Sequence, residues 1–210
     1  MAGVYFNGTC EYEYAKQHLP NYQVFDEKRY FTPGQASSVV NIKGVPCAIS
    51  VCEDIWQDNV MQDAKSNGAQ CMLNLNASPF HIDKSQHRKD LLKQRAQQGN
   101  MPIVYVNLVG GQDELVFDGG SLVVNAQGDV CASSVPYQEA LDVVTFGFDQ
   151  GACQVIEGTQ AAEQEKLANI YDALVLGVRD YVNKNGFKGV LLGLSGGIDS
   201  GLTLAIAVDA

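Results

Sequence analysis

The chain has 210 residues, of which 46% are hydrophobic and 18% are charged, and its formal net charge is −10. This is the composition of an ordinary globular protein of one large domain or somewhat more, and an acidic chain without a basic run is a poor nucleic-acid binder. No apolar run reaches membrane-spanning length and no signal peptide is visible, so we expect no membrane partner.

Six cysteines are distributed along the whole chain, at Cys10, Cys47, Cys52, Cys71, Cys131 and Cys153. The chain is too long and too apolar to need a disulfide framework, and it has no CxxC pair. Three histidines do not assemble an obvious zinc site. We therefore predict reduced thiols and a cytoplasmic setting, and the family resemblance described below implies no prosthetic group.

The first fifteen residues predict a β-hairpin, because Asn7-Gly8 is a strong hairpin turn between the β-type stretches 4–6 and 10–14. Pro20 excludes a helix through residues 16–31. That segment mixes aromatic and charged side chains as the wall of a pocket does, although a solvated loop has the same composition.

Residues 37–42 and 45–51 predict paired strands, and the second one stops abruptly at Cys52, because two carboxylates follow it. A nucleophile on a sharp turn at the end of a strand presents its side chain to a cleft. Cys52 is therefore a candidate nucleophile, and the alternative is a buried core cysteine.

The next stretch predicts alternating helices and strands. Asp58 is expected to cap a helix that buries Val60, Met61 and Ala64 and ends at Asn67-Gly68, and Asp83 is expected to cap a polar helix that ends near Gly99. The intervening strands are 71–76 and 103–109. This order predicts a mixed sheet with helices packed on it.

After a turn at Gly110-Gly111, strands are predicted at 113–116, 122–125, 129–133 and 141–148, followed by a linker at 149–158. A helix is expected from Thr159, with Glu163 and Glu165 in its early turns. Its predicted apolar face consists of Leu167, Ile170, Tyr171, Leu174, Val178, Tyr181 and Val182.

A fully apolar stretch, residues 190–194, predicts a parallel strand that leads into Ser195-Gly196-Gly197-Ile198-Asp199-Ser200 and a helix over 201–208. Glycines between a strand and a helix N-terminus suit a phosphate group, and the two serines add hydroxyl donors. Asp199 would repel phosphate but suits Mg²⁺ beside it. The alternative is a glycine-rich turn without a ligand.

The Ser195–Ser200 segment resembles the SGGxDS loop of the N-type ATP pyrophosphatases, which split ATP into AMP and pyrophosphate. Four further stretches resemble the amidase domain of the nitrilase superfamily, and together the two parts resemble glutamine-dependent NAD⁺ synthetases. Those stretches are residues 16–31, 51–56, 76–80 and 109–119.

The resemblance implies an α/β fold in two parts. A nitrilase-like α-β-β-α sandwich, a glutaminase domain lacking its N-terminal part, covers residues 1–150. The truncated start of a Rossmann-like parallel-sheet ATP pyrophosphatase domain covers residues 160–210.

The same resemblance assigns the site residues. Cys52 matches the nucleophile and Lys16 the lysine of a Glu-Lys-Cys triad, and Glu27 resembles an acid that fixes the lysine. The glutamine pocket is expected to include Tyr22, Glu53, Trp56, Ser78 and Lys84. ATP and Mg²⁺ are expected at Ser195, Gly196, Gly197, Asp199 and Ser200, with Asp199 as the metal ligand.

The implied activity is that of a carbon–nitrogen ligase. Glutamine hydrolysis supplies ammonia, and ATP drives the amidation of deamido-NAD⁺ to NAD⁺, with AMP, pyrophosphate and glutamate as products. The family's members are homo-oligomers. Its general-base glutamate lies upstream of the lysine, in a segment that this chain lacks, so we expect poor glutamine hydrolysis. The alternatives are another nitrilase-type amidase or amidotransferase, and an inert fragment that binds without catalysis.

Overall fold

The computed structural model describes residues 1–35 and 39–210. Its main feature is a six-stranded sheet with the order β10-β9-β6-β5-β4-β3, in which β4, β5 and β6 are parallel and the other pairs are antiparallel. The strands are β1 (Ala2–Phe6), β2 (Thr9–Tyr14), β3 (Val39–Ile42), β4 (Val45–Val51), β5 (Cys71–Asn76), β6 (Ile103–Asn107), β7 (Val109–Gln112), β8 (Leu115–Asp118), β9 (Leu122–Val124), β10 (Val130–Ser133), β11 (Thr145–Asp149) and β12 (Ala152–Glu157).

One face of the sheet carries the helices that connect its parallel strands. The helices of the chain are α1 (Glu27–Tyr30), α2 (Asp58–Ser66), α3 (Lys84–Gly99), α4 (Lys166–Lys184) and α5 (Ile198–Asp209), and a 3₁₀ turn covers Cys52–Trp56. The main core lies between the sheet and α2 and α3, where Met72, Leu92 and Ile103 are fully buried. No helix of the described residues is both long and apolar enough to cross a bilayer.

The local signals for the first strands are confirmed. β1 and β2 form the predicted hairpin, and β3 pairs with β4 around the turn at Lys43-Gly44. Residues 37 and 38 of the first predicted sheet strand lie outside the described residues. The α2 helix buries Val60, Met61 and Ala64 as predicted.

Neither predicted aspartate cap forms a capping hydrogen bond. Asp58 is the first residue of α2, so it lies inside the helix rather than before it. Asp83 does precede α3, but its carboxylate instead accepts a hydrogen bond from Lys166 at 2.9 Å. A long-range ion pair therefore replaces the expected local cap.

The predicted turn at Gly110-Gly111 is wrong, because both glycines lie inside β7. The chain reverses at residues 113 and 114, and β7 and β8 form an antiparallel hairpin. A Cβ on Gly111 would lie 3.1 Å from the Cβ of Asp180, so a larger residue here would require α4 to move by a few tenths of an ångström.

The predicted linker at 149–158 is also wrong. Gln150 and Gly151 form a turn with positive φ angles, and β11 and β12 pair on its two sides. This hairpin lies on the second face of the main sheet, where Cys153 and Phe146 pack against Cys47 and Cys71. All six cysteines are free in the structure.

The α4 helix begins at Lys166 and not near Thr159, so Glu163 and Glu165 precede it. The backbone around Thr159 is paired elsewhere, because Ser133 donates to the Thr159 carbonyl and accepts from the Ala161 N–H. That pairing competes with the first helical turn.

The predicted apolar face of α4 is only partly buried. Leu167, Leu174 and Tyr181 are exposed, and the buried residues are Ala173, Val175 and Leu176. The helix instead packs against β7 and β8 through its small residues, which allow a close approach.

The predicted parallel strand at 190–194 is not formed. Its residues have no assigned secondary structure, and Leu191 is fully exposed. A strand needs a neighbour for its backbone hydrogen bonds, and none of the strands in the described residues lies beside it. The helix that follows is longer than predicted, since α5 already begins at Ile198.

Leu92 provides a test of the core between the sheet and α3, because its side chain is fully buried. We expect Leu92→Ala to lower the free energy of unfolding by about 2–5 kcal/mol through lost contacts and a residual cavity. Urea unfolding of the 210-residue chain measures this change. Leu167→Ala is the control, because that side chain is 81% exposed and its loss is expected to cost less than about 0.5 kcal/mol. Equal losses would contradict the packing described here.

Candidate active site

Cys52 lies where β4 ends, and its backbone adopts a left-handed conformation with φ of 49°. A non-glycine residue with this φ is strained, and such residues are concentrated at functional sites. The thiol accepts a hydrogen bond from the backbone of Ala77, which follows the end of the neighbouring strand β5. The structure therefore forms the predicted sharp turn at a cysteine.

Burial raises the pKa of the Cys52 thiol, and it outweighs two opposing effects. The positive charge of Lys16 and the Ala77 hydrogen bond both lower that pKa, because they favour the thiolate. At neutral pH the resting group is therefore a thiol that must lose a proton before it can attack. A neighbouring base would have to remove that proton.

Lys16 lies in the segment after β2, and its side chain is only 10% exposed. Its ammonium donates to both carboxylate oxygens of Glu27, the first residue of α1, at 2.7 Å each. The Lys16 carbonyl also accepts a hydrogen bond from Gly34. The lysine is thus fixed by its own segment, and its charge acts on Cys52.

Asp54 joins the segment that carries Lys16 to the turn that carries Cys52. Its buried carboxylate accepts hydrogen bonds from the Tyr14 hydroxyl and from the backbone N–H groups of Gln17, His18 and Val51. From the sequence, Asp54 could only be described as a supporting or substrate-facing acid. Its donors are 36 to 40 positions away in three cases, so no local signal identifies them.

Four of the five residues predicted for a glutamine pocket lie close together. The Tyr22 hydroxyl donates to Glu53 at 2.9 Å, and the Lys84 ammonium lies 4.1 Å from the centre of the Trp56 ring. Burial and the Glu53 carboxylate raise the pKa of Tyr22 to about 12. Burial and the charge of Arg88 lower the pKa of Lys84. The group combines an acid, a cation and two aromatic rings.

Ser78 is the fifth predicted pocket residue, and it lies deeper than the others. It is 5% exposed, and its hydroxyl and carbonyl accept hydrogen bonds from Arg88. Arg88 also forms a bidentate ion pair with Asp118 at 2.7 and 3.0 Å, and Asn107 binds the Ser78 backbone. A direct contact between Ser78 and glutamine remains a prediction, whereas its place in this network is clear.

Sequence reasoning did not identify Arg88 or Asp118. Arg88 is one of several charged residues in a polar helix, and only the folded chain shows that its guanidinium is 2% exposed. Asp118 lies at the end of β8 and reaches Arg88 across 30 positions. The burial of both partners depends on tertiary packing, which the sequence pattern of α3 does not encode.

A cleft of about 650 Å³ opens beside the Cys52 turn. Its lining includes Gln17, His18, Leu19, Tyr22 and Glu53. The His18 Nε2 atom is buried without a hydrogen-bond partner within the described residues. The cleft therefore reaches the Tyr22–Glu53 pair, and Cys52 directly precedes Glu53 in the sequence.

The predicted phosphate loop precedes α5. Gly196 has a φ of 83°, Gly197 occupies the N-cap position, and no side chain caps the helix, so its first N–H groups can bind an anion. The hydroxyls of Ser195 and Ser200 lie 3.1 Å apart. Asp199 lies in the first helical turn.

The donors of this loop fit a phosphate group, and one exposed carboxylate fits a Mg²⁺ ion that takes its other ligands from phosphate and water. No group of three metal-binding side chains occurs among the residues that the structure describes. Asp199 would therefore hold such an ion only together with a phosphate ligand.

Comparison with known proteins gives matches along the whole chain. The family model described as carbon-nitrogen hydrolase matches residues 2–156, and the one described as NAD synthase matches residues 170–210. The glutamine-dependent NAD(+) synthetase of Acinetobacter baylyi is 44% identical over 209 residues, and that of Aquifex aeolicus is 39% identical over 227. The alignments cover 100% and 94% of this chain but only 38% and 40% of those proteins.

Solved structures give the same result. The glutamine-dependent NAD⁺ synthetase of Acinetobacter baumannii, determined in complex with ADP, has a TM-score of 0.92 and 45% identity over 99% of this chain and 39% of its own. A nitrilase-superfamily amidase from Nesterenkonia AN1 has a TM-score of 0.56 and 30% identity, over 61% of this chain and 48% of its own.

The predicted nitrilase-type α/β fold and the resemblance drawn from the sequence motifs are confirmed by these comparisons. The chain spans about two fifths of the length of the curated relatives that it matches. Because the hydrolase model covers residues 2–156, and the thiol, the lysine and the cleft all lie within that range, the chain belongs to the carbon-nitrogen hydrolase family.

Proposed function

We propose that the chain is part of a glutamine-dependent NAD⁺ synthetase, a carbon–nitrogen ligase. Residues 1–150 would form the glutaminase domain and residues 160–210 the beginning of the ATP pyrophosphatase domain. The observation that supports this most strongly is the placement of Lys16 and Cys52 beside a cleft that contains Glu53 and Tyr22. The glycine-rich loop before α5 supports the second half of the proposal.

In the amidase reaction, the Cys52 sulfur would attack the side-chain amide carbon of glutamine. The new S–C bond gives a tetrahedral intermediate whose negative oxygen is stabilised by the Lys16 ammonium. When the C–N bond breaks, the nitrogen takes a proton and leaves as ammonia, and a glutamyl thioester remains. Water then cleaves the S–C bond and releases glutamate together with the free thiol.

The proton on Cys52 limits this reaction, because burial raises the pKa of the thiol. Two carboxylates lie close enough to act on that pKa, and both are engaged: Glu27 by Lys16 and Glu53 by Tyr22. Among the described residues, these are the two carboxylates with the largest effects on the Cys52 pKa. We therefore propose that this chain alone hydrolyses glutamine slowly, although it can bind it.

For binding, Glu53 would accept the α-ammonium group of glutamine and Lys84 would pair with its α-carboxylate. Tyr22 already donates to Glu53 and would orient that carboxylate, while Trp56 provides an apolar surface beside Lys84. Ser78 would contribute from the floor of the pocket through its backbone or hydroxyl. The charges of the pocket thus match the two charged groups of a free amino acid.

For the synthetase reaction, ATP would bind with its phosphates at Ser195, Gly196, Gly197 and Ser200, and Asp199 would ligate Mg²⁺. The metal ion would neutralise the phosphate charge when it is bound. Deamido-NAD⁺ would be activated as its adenylate, with release of pyrophosphate, and ammonia would displace AMP to give NAD⁺. We propose that the protein forms a homo-oligomer and that it has no nucleic-acid or membrane partner. We also propose that it lies in the cytoplasm, where cysteines such as these six remain reduced.

Replacing Lys16 tests whether its charge acts on the Cys52 thiol. Because burial raises the pKa of Cys52, its alkylation by iodoacetamide is expected to keep increasing with pH beyond the ordinary cysteine midpoint of about 8.5. Lys16→Met removes a positive charge that favours the thiolate, so the pKa should rise further. We expect about tenfold slower alkylation at any fixed pH below the midpoint, corresponding to about one pKa unit. Peptide mass spectrometry resolves Cys52 from the other thiols, and an unchanged rate would contradict the pairing.

Lys28→Met is the control for the Lys16 variant. This exposed lysine belongs to the same segment, and it is not among the groups with the largest effects on the Cys52 pKa. Its replacement removes the same charge from the chain and is expected to leave the alkylation rate unchanged.

Glu53 tests the glutamine pocket. We expect Glu53→Gln to weaken glutamine binding at least about tenfold, because it removes the only proposed partner of the α-ammonium group. Isothermal titration calorimetry of the 210-residue chain with glutamine measures this. Glu11→Gln, an exposed position on β2, should bind like the wild type. Tight binding by both variants would exclude the proposed role of Glu53.

Replacing Asp199 tests whether the loop before α5 binds ATP through a Mg²⁺ ion. With Mg²⁺ present, Asp199→Asn is expected to weaken ATP binding about tenfold because a metal ligand is lost. Without Mg²⁺ the same variant should bind ATP at least as well as the wild type, since a repelling charge is gone. Asp209→Asn, at the other end of α5, is the control. Calorimetric titrations that show equal weakening with and without the metal would refute the role as a ligand.

A further inference from the structure

The Asp54 carboxylate is fully buried and is shared between two chain segments. Its Oδ1 atom accepts from the N–H groups of Gln17 at 3.0 Å and His18 at 2.8 Å. Its Oδ2 atom accepts from the Tyr14 hydroxyl at 2.8 Å and from the Val51 N–H at 3.1 Å. Both oxygens therefore bind two donors each.

These donors surround the two reactive residues in the sequence. Tyr14 precedes Lys16 by two positions, and Gln17 and His18 follow it directly. Val51 directly precedes Cys52, and Asp54 itself lies two positions after it. One side chain thus connects the Tyr14 side chain before the lysine and the backbone after it to the turn that carries the cysteine.

We propose that Asp54 is a positioning residue that sets the distance between the Lys16 ammonium and the Cys52 thiol. This inference rests on the proposed function, in which these two groups form the reactive pair. Asp54 touches neither substrate nor the reacting atoms in this role, and it acts through the two segments that it joins.

The type of side chain supports this role. A carboxylate has only acceptors, so it can satisfy four donors at once, whereas an asparagine or a hydroxyl would direct a hydrogen towards one of them. Asp54 takes part in no ion pair among the described residues. A buried carboxylate without a cation is costly unless its hydrogen bonds are complete. The cost is offset here by bonds that are all directed at the Lys16 and Cys52 segments.

The Lys16 side chain has a separate anchor in Glu27, which belongs to the same segment. That ion pair fixes the ammonium relative to residues 16–30, but it does not fix this segment relative to β4. The bonds from Tyr14, Gln17 and His18 to Asp54 provide this connection, in addition to the Tyr22–Glu53 bond. Without it, the charge of Lys16 would remain nearby at a less defined distance from the thiol.

The test compares the apparent pKa of Cys52 in four proteins: wild type, Lys16→Met, Asp54→Asn and the double variant. The groups that face the thiol stay constant apart from the two substitutions, and they are Lys16, Glu27, Tyr22, Glu53, Lys84, Arg88 and Tyr105. The probe is iodoacetamide, and site-resolved mass spectrometry follows Cys52 over a range of pH.

We expect Asp54→Asn to slow alkylation at least about threefold at fixed pH, in the same direction as Lys16→Met and by a smaller factor. Alkylation of the double variant should be no slower than that of Lys16→Met alone, because without the Lys16 ammonium there is no positive charge for Asp54 to position. A purely structural role would give effects that add. Additive effects, or a folded Asp54→Asn with a wild-type pH profile, would overturn the proposal.

Two further results separate this proposal from the function on which it rests. If Lys16→Met has no effect, both are wrong, whereas an effect of Lys16→Met without one of Asp54→Asn overturns the positioning role alone. If circular dichroism shows that Asp54→Asn does not fold, Tyr14→Phe replaces it in the same cycle. That variant removes one of the four donors, and it should slow alkylation about twofold and show the same non-additivity with Lys16→Met. A wild-type rate in folded Tyr14→Phe would overturn the proposal.

Discussion

The parallel pairing of β4, β5 and β6 is the constraint on which the site depends. In this register Val51 lies opposite Leu75 and Asn76 opposite Asn107, so the three strands end at one edge of the sheet. The residues that follow them are thereby brought together, and the Ala77 N–H reaches the Cys52 thiol. Carboxyl ends of parallel strands commonly form binding sites for this geometric reason. The elements packed around this edge add the lysine, the acids and the cleft.

Polar side chains behind this edge keep it rigid. Asn74 donates to Ser50 of β4, and Asn76 donates to the Val106 carbonyl of β6, so both side chains link neighbouring strands. On the other side, the ion pair of Arg88 and Asp118 secures the chain after β5 through Ser78. A buried ion pair contributes little net stability, but it penalises alternative arrangements strongly, because either partner alone would be an unpaired charge. The network thus favours one geometry over its competitors.

The sequence predicts those parts of the fold whose signals are local. The hairpin at Asn7-Gly8, the end of β4 at Cys52 and the buried face of α2 follow from turn chemistry and periodicity, and all three are formed. The failures have two causes. The hairpins of β7 and β8 and of β11 and β12 are local, and the sequence pattern did not identify their turns at residues 113–114 and 150–151. The absence of a strand at 190–194 depends on which distant segment lies alongside.

The same distinction applies to the site. Cys52 was identified from its position at the end of a strand, and Lys16 and the pocket residues from resemblance. The sequence described Asp54 only as a supporting or substrate-facing acid and did not identify Arg88, because the importance of both comes from burial and from hydrogen-bond partners that are 30 or more positions away. A polar residue in a helix or turn looks the same in sequence whether it faces solvent or a buried partner.

The left-handed backbone of Cys52 has a consequence for how this site can change. A non-glycine residue in this conformation costs of the order of 1–3 kcal/mol, and the surrounding contacts have to offset that cost. Glycine is the residue that would relax the turn, and it has no side chain to react. At this one position, selection for a more stable chain would favour glycine, whereas selection for a nucleophile favours cysteine. The presence of cysteine therefore indicates that reactivity outweighed stability here.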